Sequence, residues 1–223
     1  MTTSGPAIEI TALARRYGAS FVLTNVNLHV AQGRVLVLHG SNGAGKTTLL
    51  RVLSTRLRPS RGEGRVFGLD LVRDAARVRV HVAYLSVFGG AYGALSAREN
   101  LALAARLYGK REALEPYLEQ VGLLGVQHKP VRTFSSGMKK RLGIARVLLS
   151  DADLWLLDEP YAALDASGRE LVDGLLTQAK AEGRTVVMAS HELERSARFA
   201  DRVLEVRGGS LHPVIGMPEA AHA

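Results

Sequence analysis

A glycine-rich loop at residues 40–48, GSNGAGKTT, limits the possible folds of this chain more than any other segment. It follows an apolar run, residues 35–38, and it opens a segment with helical spacing, residues 46–55. The loop fits the pattern G-x-x-x-x-G-K-[ST] between a strand and a helix, which is the context that a phosphate-binding loop requires. Its glycines let backbone N–H groups turn inward around phosphates, and the helix dipole adds partial positive charge. The sequence therefore predicts a strand, loop and helix that bind the phosphates of a nucleotide.

Two residues of this loop have specific predicted roles. Lys46 should reach the β- and γ-phosphates, and Thr47 should supply a hydroxyl oxygen to Mg²⁺. The predicted nucleotide-binding set is Gly40, Ser41, Asn42, Gly43, Ala44, Gly45, Lys46, Thr47 and Thr48. A glycine turn with only a structural role is the alternative, and the flanking strand and helix argue against it.

Two adjacent carboxylates, Asp158 and Glu159, follow another apolar run at residues 154–157. Ligands of open α/β sheets bind at the carboxyl ends of the strands. We therefore expect Asp158 to hold Mg²⁺ through water and Glu159 to polarise the attacking water as a general base. A solvated strand end before Pro160 is the alternative, which the phosphate-binding loop makes less favourable.

The composition excludes several classes of protein. The chain has 223 residues, of which 47% are hydrophobic and 22% charged, a balance typical of globular rather than disordered chains. It contains no cysteine, which excludes disulfides, thiolate metal sites and a cysteine nucleophile. No apolar run approaches the about 20 residues of a membrane span, and residues 1–9 show no signal-peptide pattern. We therefore expect a chain that does not cross a bilayer.

The net charge of +8 is compatible with binding to a nucleic acid or a membrane surface. The basic residues are spread along the chain, however, so the charge alone does not decide between these partners and a solvated surface. One basic group, Lys139, Lys140 and Arg141, lacks the interleaved aromatic residues of a nucleic-acid-binding surface. We predict that this face is solvated or attracts phosphate, and we expect no nucleic-acid partner.

Short apolar runs alternate with helical patterns, which predicts an α/β fold with a mainly parallel sheet. The predicted buried strands are residues 35–38, 82–85, 154–157 and 185–189, and an antiparallel part is predicted from residues 8–13 and 26–30. Residues 203–206 and 211–214, with Gly208 and Gly209 between them, predict a hairpin. Helices are predicted at residues 46–55, 97–108, 112–121, 136–149, 167–181 and 192–199.

Three of these predicted helices fall within residues 97–149, where no strand pattern occurs. This arrangement indicates a helical insertion in an α/β core. We therefore divide the single predicted domain, residues 1–223, into a core of residues 1–87 and 150–223 and a helical subdomain of about 88–149.

Further motifs surround the loop and the two carboxylates. Residues 134–146, FSSGMKKRLGIAR, precede Asp158, whereas Ala163-Leu164-Asp165 and then His191 follow it, and Tyr17 lies upstream of the loop. The ordered set resembles the ATP-binding-cassette (ABC) ATPases, a family of P-loop NTPases, over nearly the whole chain. Each short motif is weak by itself, but the order of the set is very specific.

The resemblance implies a role for each motif. Tyr17 would stack on adenine, and base–aromatic stacking is worth about 1–3 kcal/mol. His191 would contact the γ-phosphate, and Asp165 would belong to the D-loop. The signature residues would face the γ-phosphate that a second subunit holds: Ser135, Ser136 and Gly137. An ordinary strand-end position is the alternative for Tyr17 and His191, while a capping role for Ser135 is compatible with the functional one.

The resemblance also implies what the protein does. It would bind ATP and Mg²⁺, and it would hydrolyse ATP with Lys46, Glu159 and His191 as catalytic residues. It would pair head-to-tail with a second ATPase subunit, as a homodimer or a heterodimer. It would power transport, export in particular, through separately encoded integral membrane subunits, as a peripheral protein at the cytoplasmic face of the cell membrane. The compact single cassette is similar to exporter subunits, including the heme-exporter ATPases of cytochrome c maturation.

The sequence departs from the family pattern at the Q-loop, where counting from Tyr84 places Val87 at the position of the family's glutamine. No Gln, His, Asp or Glu lies between Tyr84 and Arg98. We therefore expect slow hydrolysis. In the signature motif, the usual Leu, Gly and Gln are replaced by Phe134, Ser136 and Met138. The side chain of Ser136 would lie beside the partner's phosphates.

Two other classes of function stay open. One is an ABC ATPase of translation or DNA repair, although the tandem cassettes or long coiled-coil insertions usual there do not fit in 223 residues. The other is a regulatory binding module with weak hydrolysis, which Val87 favours. Co-purification with an integral membrane protein separates transport from the first class, and turnover measured with that partner separates it from the second.

Overall fold

A computed structural model describes residues 5–87 and 90–214. Both ends of the predicted core and the first residues of the predicted helical subdomain lie outside these ranges. The strands are, in chain order, β1 (Ile8–Tyr17), β2 (Ser20–Val30), β3 (Val35–His39), β4 (Arg61–Val66), β5 (Leu69–Asp70), β6 (Val82–Leu85), β7 (Leu154–Asp158), β8 (Thr185–Ala189), β9 (Arg202–Arg207) and β10 (Ser210–Pro213). They form two sheets.

The larger sheet has the strand order β10-β9-β3-β8-β7-β6. Its strands from β9 to β6 run parallel, and only the hairpin partner β10 runs antiparallel. All five residues of β7 and of β8 are buried, as expected of continuous apolar runs in the middle of a parallel sheet. The predicted parallel sheet and the predicted hairpin are therefore confirmed. The parallel arrangement brings the carboxyl ends of β3, β6, β7 and β8 to one edge.

The smaller sheet is antiparallel, with the order β2-β1-β4-β5. Ile8 pairs with Val30 and Ile10 pairs with Leu28, so the predicted pairing of these two segments is confirmed. The sequence did not predict β4 or β5. The reason is visible in β4, RGEGRV, whose two glycines and three charged residues leave no apolar run.

The α-helices are α1 (Lys46–Leu53), α2 (Ala75–His81), α3 (Ala97–Leu107), α4 (Glu115–Gln120), α5 (Ser136–Ser150), α6 (Ala166–Ala181) and α7 (Leu193–Ala197). All except α2 were predicted, with differences only at their ends. The segment of α2, AARVRVH, alternates valine and arginine with the period of a strand, and only Val78 is buried. Within the described ranges, no helix combines the length and the apolar character needed to cross a membrane.

The helices α3, α4 and α5 pack on the same buried cluster as the larger sheet. Leu101, Leu118 and Leu142 come from these helices, and Leu85 and Trp155 come from β6 and β7. Between residues 90 and 150 the described chain adds no strand to either sheet. Because the helices and the sheet share one apolar cluster, the division into a core and a helical subdomain stays a prediction.

Candidate functional site

The loop between β3 and α1 has a backbone that requires glycine. Gly40 has a φ of 143°, and a Cβ atom there would lie 2.5 Å from the carbonyl oxygen of Val206. Gly45 has a φ of 113°, and its Cβ would lie 2.9 Å from Leu23. Since Gly45 immediately precedes α1, no side chain caps the first turn of that helix. The free N–H groups of this turn can bind an anion.

Lys46 is held by the loop that it follows. Its Nζ atom donates to the carbonyl oxygens of Gly40 at 2.6 Å and Ser41 at 3.2 Å, and the residue is 6% exposed. Burial lowers the pKa of Lys46, and the nearby carboxylates of Glu159 and Asp158 oppose that shift. The ammonium group therefore sits close to two carboxylates, as a cation that a polyphosphate could share.

Asp158 joins the loop to the end of β7. Its Oδ1 atom accepts a hydrogen bond from the Thr47 hydroxyl at 2.9 Å, and its Oδ2 atom accepts one from the Tyr84 hydroxyl at 3.1 Å. Burial, with a further contribution from Asp158, raises the pKa of Tyr84 to about 12, so its hydroxyl stays a neutral donor. The carboxylate is thereby fixed beside Thr47.

Glu159 and His191 meet because β7 and β8 are neighbours and Asp158 pairs with Ala189. The Oε2 atom of Glu159 accepts a hydrogen bond from the backbone N–H of His191 at 3.2 Å, and its Oε1 atom lies 3.1 Å from His191 Nε2. The same Nε2 atom lies 3.5 Å from Lys46 Nζ. The predicted base, the histidine predicted to contact the γ-phosphate and the loop lysine therefore form one group.

A cavity of about 330 Å³ lies over this group. Its lining is Ser41, Asn42, Gly43, Ala44, Gly45, Lys46, Thr47, Thr48, Val87, Glu159, Ala162 and His191. Val87 thus faces the same space as the predicted catalytic residues, as its Q-loop position requires. Tyr17, the signature residues and Asp165 are not among the described residues that line this cavity.

The signature residues lie at the start of α5. The Ser135 hydroxyl accepts a hydrogen bond from the backbone N–H of Met138 at 3.2 Å, so Ser135 caps the helix. A Cβ atom on Gly137 would lie 2.9 Å from the carbonyl oxygen of Ala163, which explains the glycine by contact within the chain. Ser136 is exposed and lines a second groove that also contains Val87.

Asp165 makes its described contacts within the chain. Its carboxylate caps α6 by accepting from the Gly168 backbone N–H at 2.8 Å, and it accepts from Arg141 at 2.9 Å. The hydrogen bond from Gly168, and then that from Arg141, lowers the pKa of Asp165. Asp165 thus links the segment after Glu159 to α5, and its predicted role at the nucleotide stays a prediction.

Tyr17 is the last residue of β1 and is 43% exposed. The guanidinium of Arg15 lies 4.8 Å from its ring centroid. A ring that is exposed and electron-rich can stack on a base, so its predicted adenine contact is compatible with this position.

Sequence reasoning missed two residues of this region, Tyr84 and Lys140. The prediction that the face of Lys139, Lys140 and Arg141 is solvated or attracts phosphate is wrong for Lys140, which is buried with 1% exposure. Burial lowers the pKa of Lys140 to about 8, against the opposing effect of Asp158 and Glu159. Helical spacing could have predicted its burial, though not its partners, because Lys140, Ile144 and Val147 lie at i, i+4 and i+7 of α5.

The oxygen atoms of Thr47 and Asp158 are the donor type that Mg²⁺ prefers, and they lie 2.9 Å apart at the edge of the cavity. In the described chain, no three His, Cys, Asp or Glu side chains cluster closely enough to hold a metal by themselves. That suits Mg²⁺, which usually takes one or two protein ligands together with substrate phosphates and water.

Comparison with known proteins agrees with this geometry. The family model described as ABC transporter matches residues 23–162. The daunorubicin resistance ATP-binding protein DrrA3 of Streptomyces coeruleorubidus is 38% identical over 208 residues, which cover 91% of this chain and 66% of that protein. The cytochrome c biogenesis ATP-binding export protein CcmA of Bordetella bronchiseptica is 42% identical over 170 residues, which cover 74% of this chain and 75% of that protein. The chain thus spans about two thirds to three quarters of the length of these relatives.

Solved structures give the same result. The structure of an ATP-binding subunit of an ABC transporter matches with a TM-score of 0.85 at 28% identity, over 92% of this chain and 88% of that one. The dimeric bacterial ABC transporter cassette MJ0796 matches with a TM-score of 0.84 at 23% identity, over 92% and 96% of the two chains. These matches confirm the predicted fold class, a P-loop NTPase with a mainly parallel sheet, an antiparallel part and additional helices.

Proposed function

This chain belongs to the ABC transporter family, and on that basis we propose that it is the ATP-binding and ATP-hydrolysing subunit of a transporter. The observation that carries the proposal is the hydrogen bond from Thr47 to Asp158, because Thr47 lines the same cavity as Lys46, Glu159 and His191. A loop that binds phosphates and a strand end that carries two carboxylates meet there, which is the arrangement that phosphoryl transfer needs.

The nucleotide is ATP bound with Mg²⁺. The loop N–H groups and the Lys46 ammonium bind its phosphates, and Tyr17 stacks on adenine. Thr47 and Asp158 would hold Mg²⁺, which neutralises phosphate charge when it is bound. The hydrogen bonds of Lys46 go to neutral carbonyls, and the carboxylates of Glu159 and Asp158 lie nearby, so the ammonium can donate to the β- and γ-phosphates while the carboxylates stay available for Mg²⁺ and water.

Glu159 acts as the general base for hydrolysis. Its Oε2 atom accepts from the backbone N–H of His191, and its Oε1 atom lies 3.1 Å from the His191 ring without a hydrogen bond of its own. The carboxylate takes the proton of the water that attacks the γ-phosphate. Val87 borders the same cavity, and valine has no donor or acceptor to hold that water in line. We therefore infer a slow rate of hydrolysis for this subunit when it is alone.

The active form is a head-to-tail dimer with a second ATPase subunit. Ser135, Ser136 and Gly137 lie at the start of a 15-residue helix but do not line the cavity of their own chain. Their proposed ligand is the γ-phosphate held by the second subunit. MJ0796, which has this fold, is a dimeric cassette.

The membrane-spanning part of the transporter is a separate chain, and this subunit binds it at the cytoplasmic face of the membrane. Export is the proposed direction, since the similar CcmA proteins are named ATP-binding export proteins and DrrA3 is named a daunorubicin resistance ATP-binding protein. A groove of about 410 Å³ beside β6 offers a docking surface. Leu107, which is 76% exposed, lines this groove. Val80, which is 74% exposed, lies in α2 next to Arg79, another residue of the groove lining.

Glu159→Gln tests the function. The amide keeps the shape of the carboxylate but removes the base, whose contribution is typically about 10²–10⁴-fold. Phosphate release should fall by that factor while ATP affinity is retained, and gel filtration with Mg·ATP should show a larger species than for the wild type. The matched control is Glu170→Gln, at an exposed position of α6. Hydrolysis by Glu159→Gln at the wild-type rate would contradict the proposal.

A further inference from the structure

Lys140 is a buried lysine for which the proposed function gives no role. Its Nζ atom donates to three backbone carbonyl oxygens, those of Glu159 at 2.9 Å, Asp158 at 3.3 Å and Ser86 at 3.3 Å. An ammonium group has three N–H donors, so each donor has a partner here. Lysine is almost never fully buried unless it is paired. These three hydrogen bonds therefore account for the burial of the Lys140 ammonium group.

The three carbonyls lie at the carboxyl ends of two neighbouring strands. Asp158 is the last residue of β7 and Glu159 follows it, 18 and 19 residues from Lys140, whereas Ser86 follows β6, 54 residues away, and precedes Val87. Further along α5, Arg146 donates to the carbonyl of Gly90, on the other side of Val87. The helix therefore contacts the loop after β6 on both sides of Val87, and through Lys140 it also contacts the backbone of Asp158 and Glu159.

Glu159 has a backbone conformation that needs support. Its φ is 49°, in the left-handed region, which costs about 1–2 kcal/mol for a residue with a Cβ atom. Its N–H donates to the carbonyl of Ala189 at 2.9 Å, and its own carbonyl accepts from Lys140 at 2.9 Å and from the backbone N–H of Ala162 at 3.2 Å. The peptide units on both sides of the Glu159 Cα are thus bonded, one by β8 and the other by α5 and a local turn. The bond from Lys140 is shorter than the turn bond and is donated by a charged group, so it adds to the restraint on the direction in which the carboxylate leaves the backbone.

We propose that Lys140 is a positioning residue that ties α5 to the backbone of Glu159 and of Ser86, and thereby holds the Glu159 carboxylate in place at the nucleotide cavity. This inference rests on the proposed ATPase function. Because α5 also begins with Ser135, Ser136 and Gly137, the lysine connects the helix that would face the second subunit to the general base. It also bonds Ser86, the residue before Val87, where valine stands at the position of the family's glutamine.

Lys140→Met removes the three donors and keeps the length of the side chain, whereas Lys140→Gln keeps two N–H donors. Misplacement of a catalytic group by about 1 Å can cost ~100-fold. We therefore expect kcat to fall about 10- to 100-fold in Lys140→Met and less in Lys140→Gln, with the Kd for ATP changed less than about twofold. The control is Lys129→Met, an exposed lysine of equal charge.

A double variant shows whether Lys140 acts through Glu159. In the Glu159→Gln background, Lys140→Met should change the residual rate by less than about twofold, because the group that it positions is already gone. An equal loss in both backgrounds would overturn the proposal, as would wild-type kcat in Lys140→Met or a loss of ATP affinity as large as the loss in kcat. If Lys140→Met does not fold, Lys140→Gln is used in the same comparison.

Failure of the proposed function gives a different result, namely a wild-type chain that binds Mg·ATP poorly or does not turn it over. Amide hydrogen exchange then tests the positioning without catalysis. Exchange of the Glu159 amide should be faster in Lys140→Gln than in the wild type and the Lys129→Met control. Unchanged exchange would show that Lys140 does not hold this segment.

Discussion

Two loops at the same edge of the larger sheet are built in different ways. The loop after β3 is held from within, since Lys46 donates to Gly40 and Ser41, six and five residues away. The loop after β6 is held from α5, where Lys140 donates to Ser86 across 54 residues. The first loop is therefore encoded by one short segment, whereas the second depends on contacts that only the folded chain creates.

We expect the two loops to affect different steps, the loop after β3 ATP binding and the loop after β6 hydrolysis. The loop after β3 supplies groups for the phosphates, and its sequence fits the phosphate-binding pattern completely. The loop after β6 carries Val87, which lines the same cavity but offers no polar group. We expect substitutions in the first loop to alter affinity or folding, and substitutions in the second to alter turnover.

Lys46→Ala should have the largest effect. It removes the cation of the phosphate loop, and a hydrogen bond to a charged group is worth about 1.5–3 kcal/mol, with more than one such bond expected to the β- and γ-phosphates. ATP affinity measured by calorimetry should fall about 100-fold or more, since every 1.4 kcal/mol is tenfold. Lys129→Ala is the charge-matched control. Near-unchanged affinity would reject the assignment of the phosphate loop.

A pair of glycine substitutions compares the stability of the two loops. In Gly40→Ala the new Cβ would lie 2.5 Å from the Val206 carbonyl, whereas in Gly90→Ala the nearest atom is Ser86 Oγ at 3.4 Å. Both positions have positive φ, at 143° and 65°. Backbone strain alone should therefore lower the free energy of unfolding of each variant by about 1–2 kcal/mol. Gly40→Ala adds a backbone clash, for a total of about 2–4 kcal/mol.

The two variants are compared by the Tm of thermal unfolding in the absence of nucleotide. At this chain length, 1 kcal/mol shifts Tm by about 2–4 °C. We expect Tm to decrease by about 4–16 °C for Gly40→Ala and by about 2–8 °C for Gly90→Ala. Equal shifts would mean that the first loop is no more tightly packed than the second.

The parts of the fold that the sequence predicted are those with a strong local pattern. The apolar runs of β3, β7 and β8 and the loop before α1 define the parallel sheet and its ligand edge. The strand β4 and the helix α2 were missed because their patterns contradict their structures. Charged residues and glycines fill β4, and valine alternates with arginine in α2, so tertiary contacts decide both elements.

The candidate site divides in the same way. Lys46, Thr47, Asp158 and Glu159 follow from motifs after strands. In the structure Lys46, Thr47 and Glu159 line one cavity, and Asp158 accepts a hydrogen bond from Thr47 beside it. Lys140 could not be assigned from the motif in which it lies, because its partners are backbone carbonyls of residues 86, 158 and 159. Every residue has a backbone carbonyl, so the sequence does not indicate which carbonyls a lysine contacts. Such a contact can be identified only when the fold is known.

Val87→Gln should have the smallest effect and tests the second loop directly. Glutamine adds a donor and an acceptor at a position that lines the cavity with Glu159 and His191. We expect turnover at saturating Mg·ATP to rise several-fold, because in-line placement of the water is what valine cannot supply. ATP affinity should stay the same, since the groups that bind the phosphates are in the other loop. Val87→Leu, which adds volume without a polar group, is the matched control.

The size of this gain depends on what replaces the glutamine in the natural chain. The Ser86 hydroxyl is the nearest polar side chain along the loop, while the Ser86 carbonyl already accepts from Lys140. If the hydroxyl holds the water, Ser86→Ala should lower turnover further, and Val87→Gln should restore it. Turnover that is already fast in the wild type, with no gain in Val87→Gln either alone or with the membrane partner, would show that position 87 does not control the water. In that case the comparison of the two loops would hold for folding but not for catalysis.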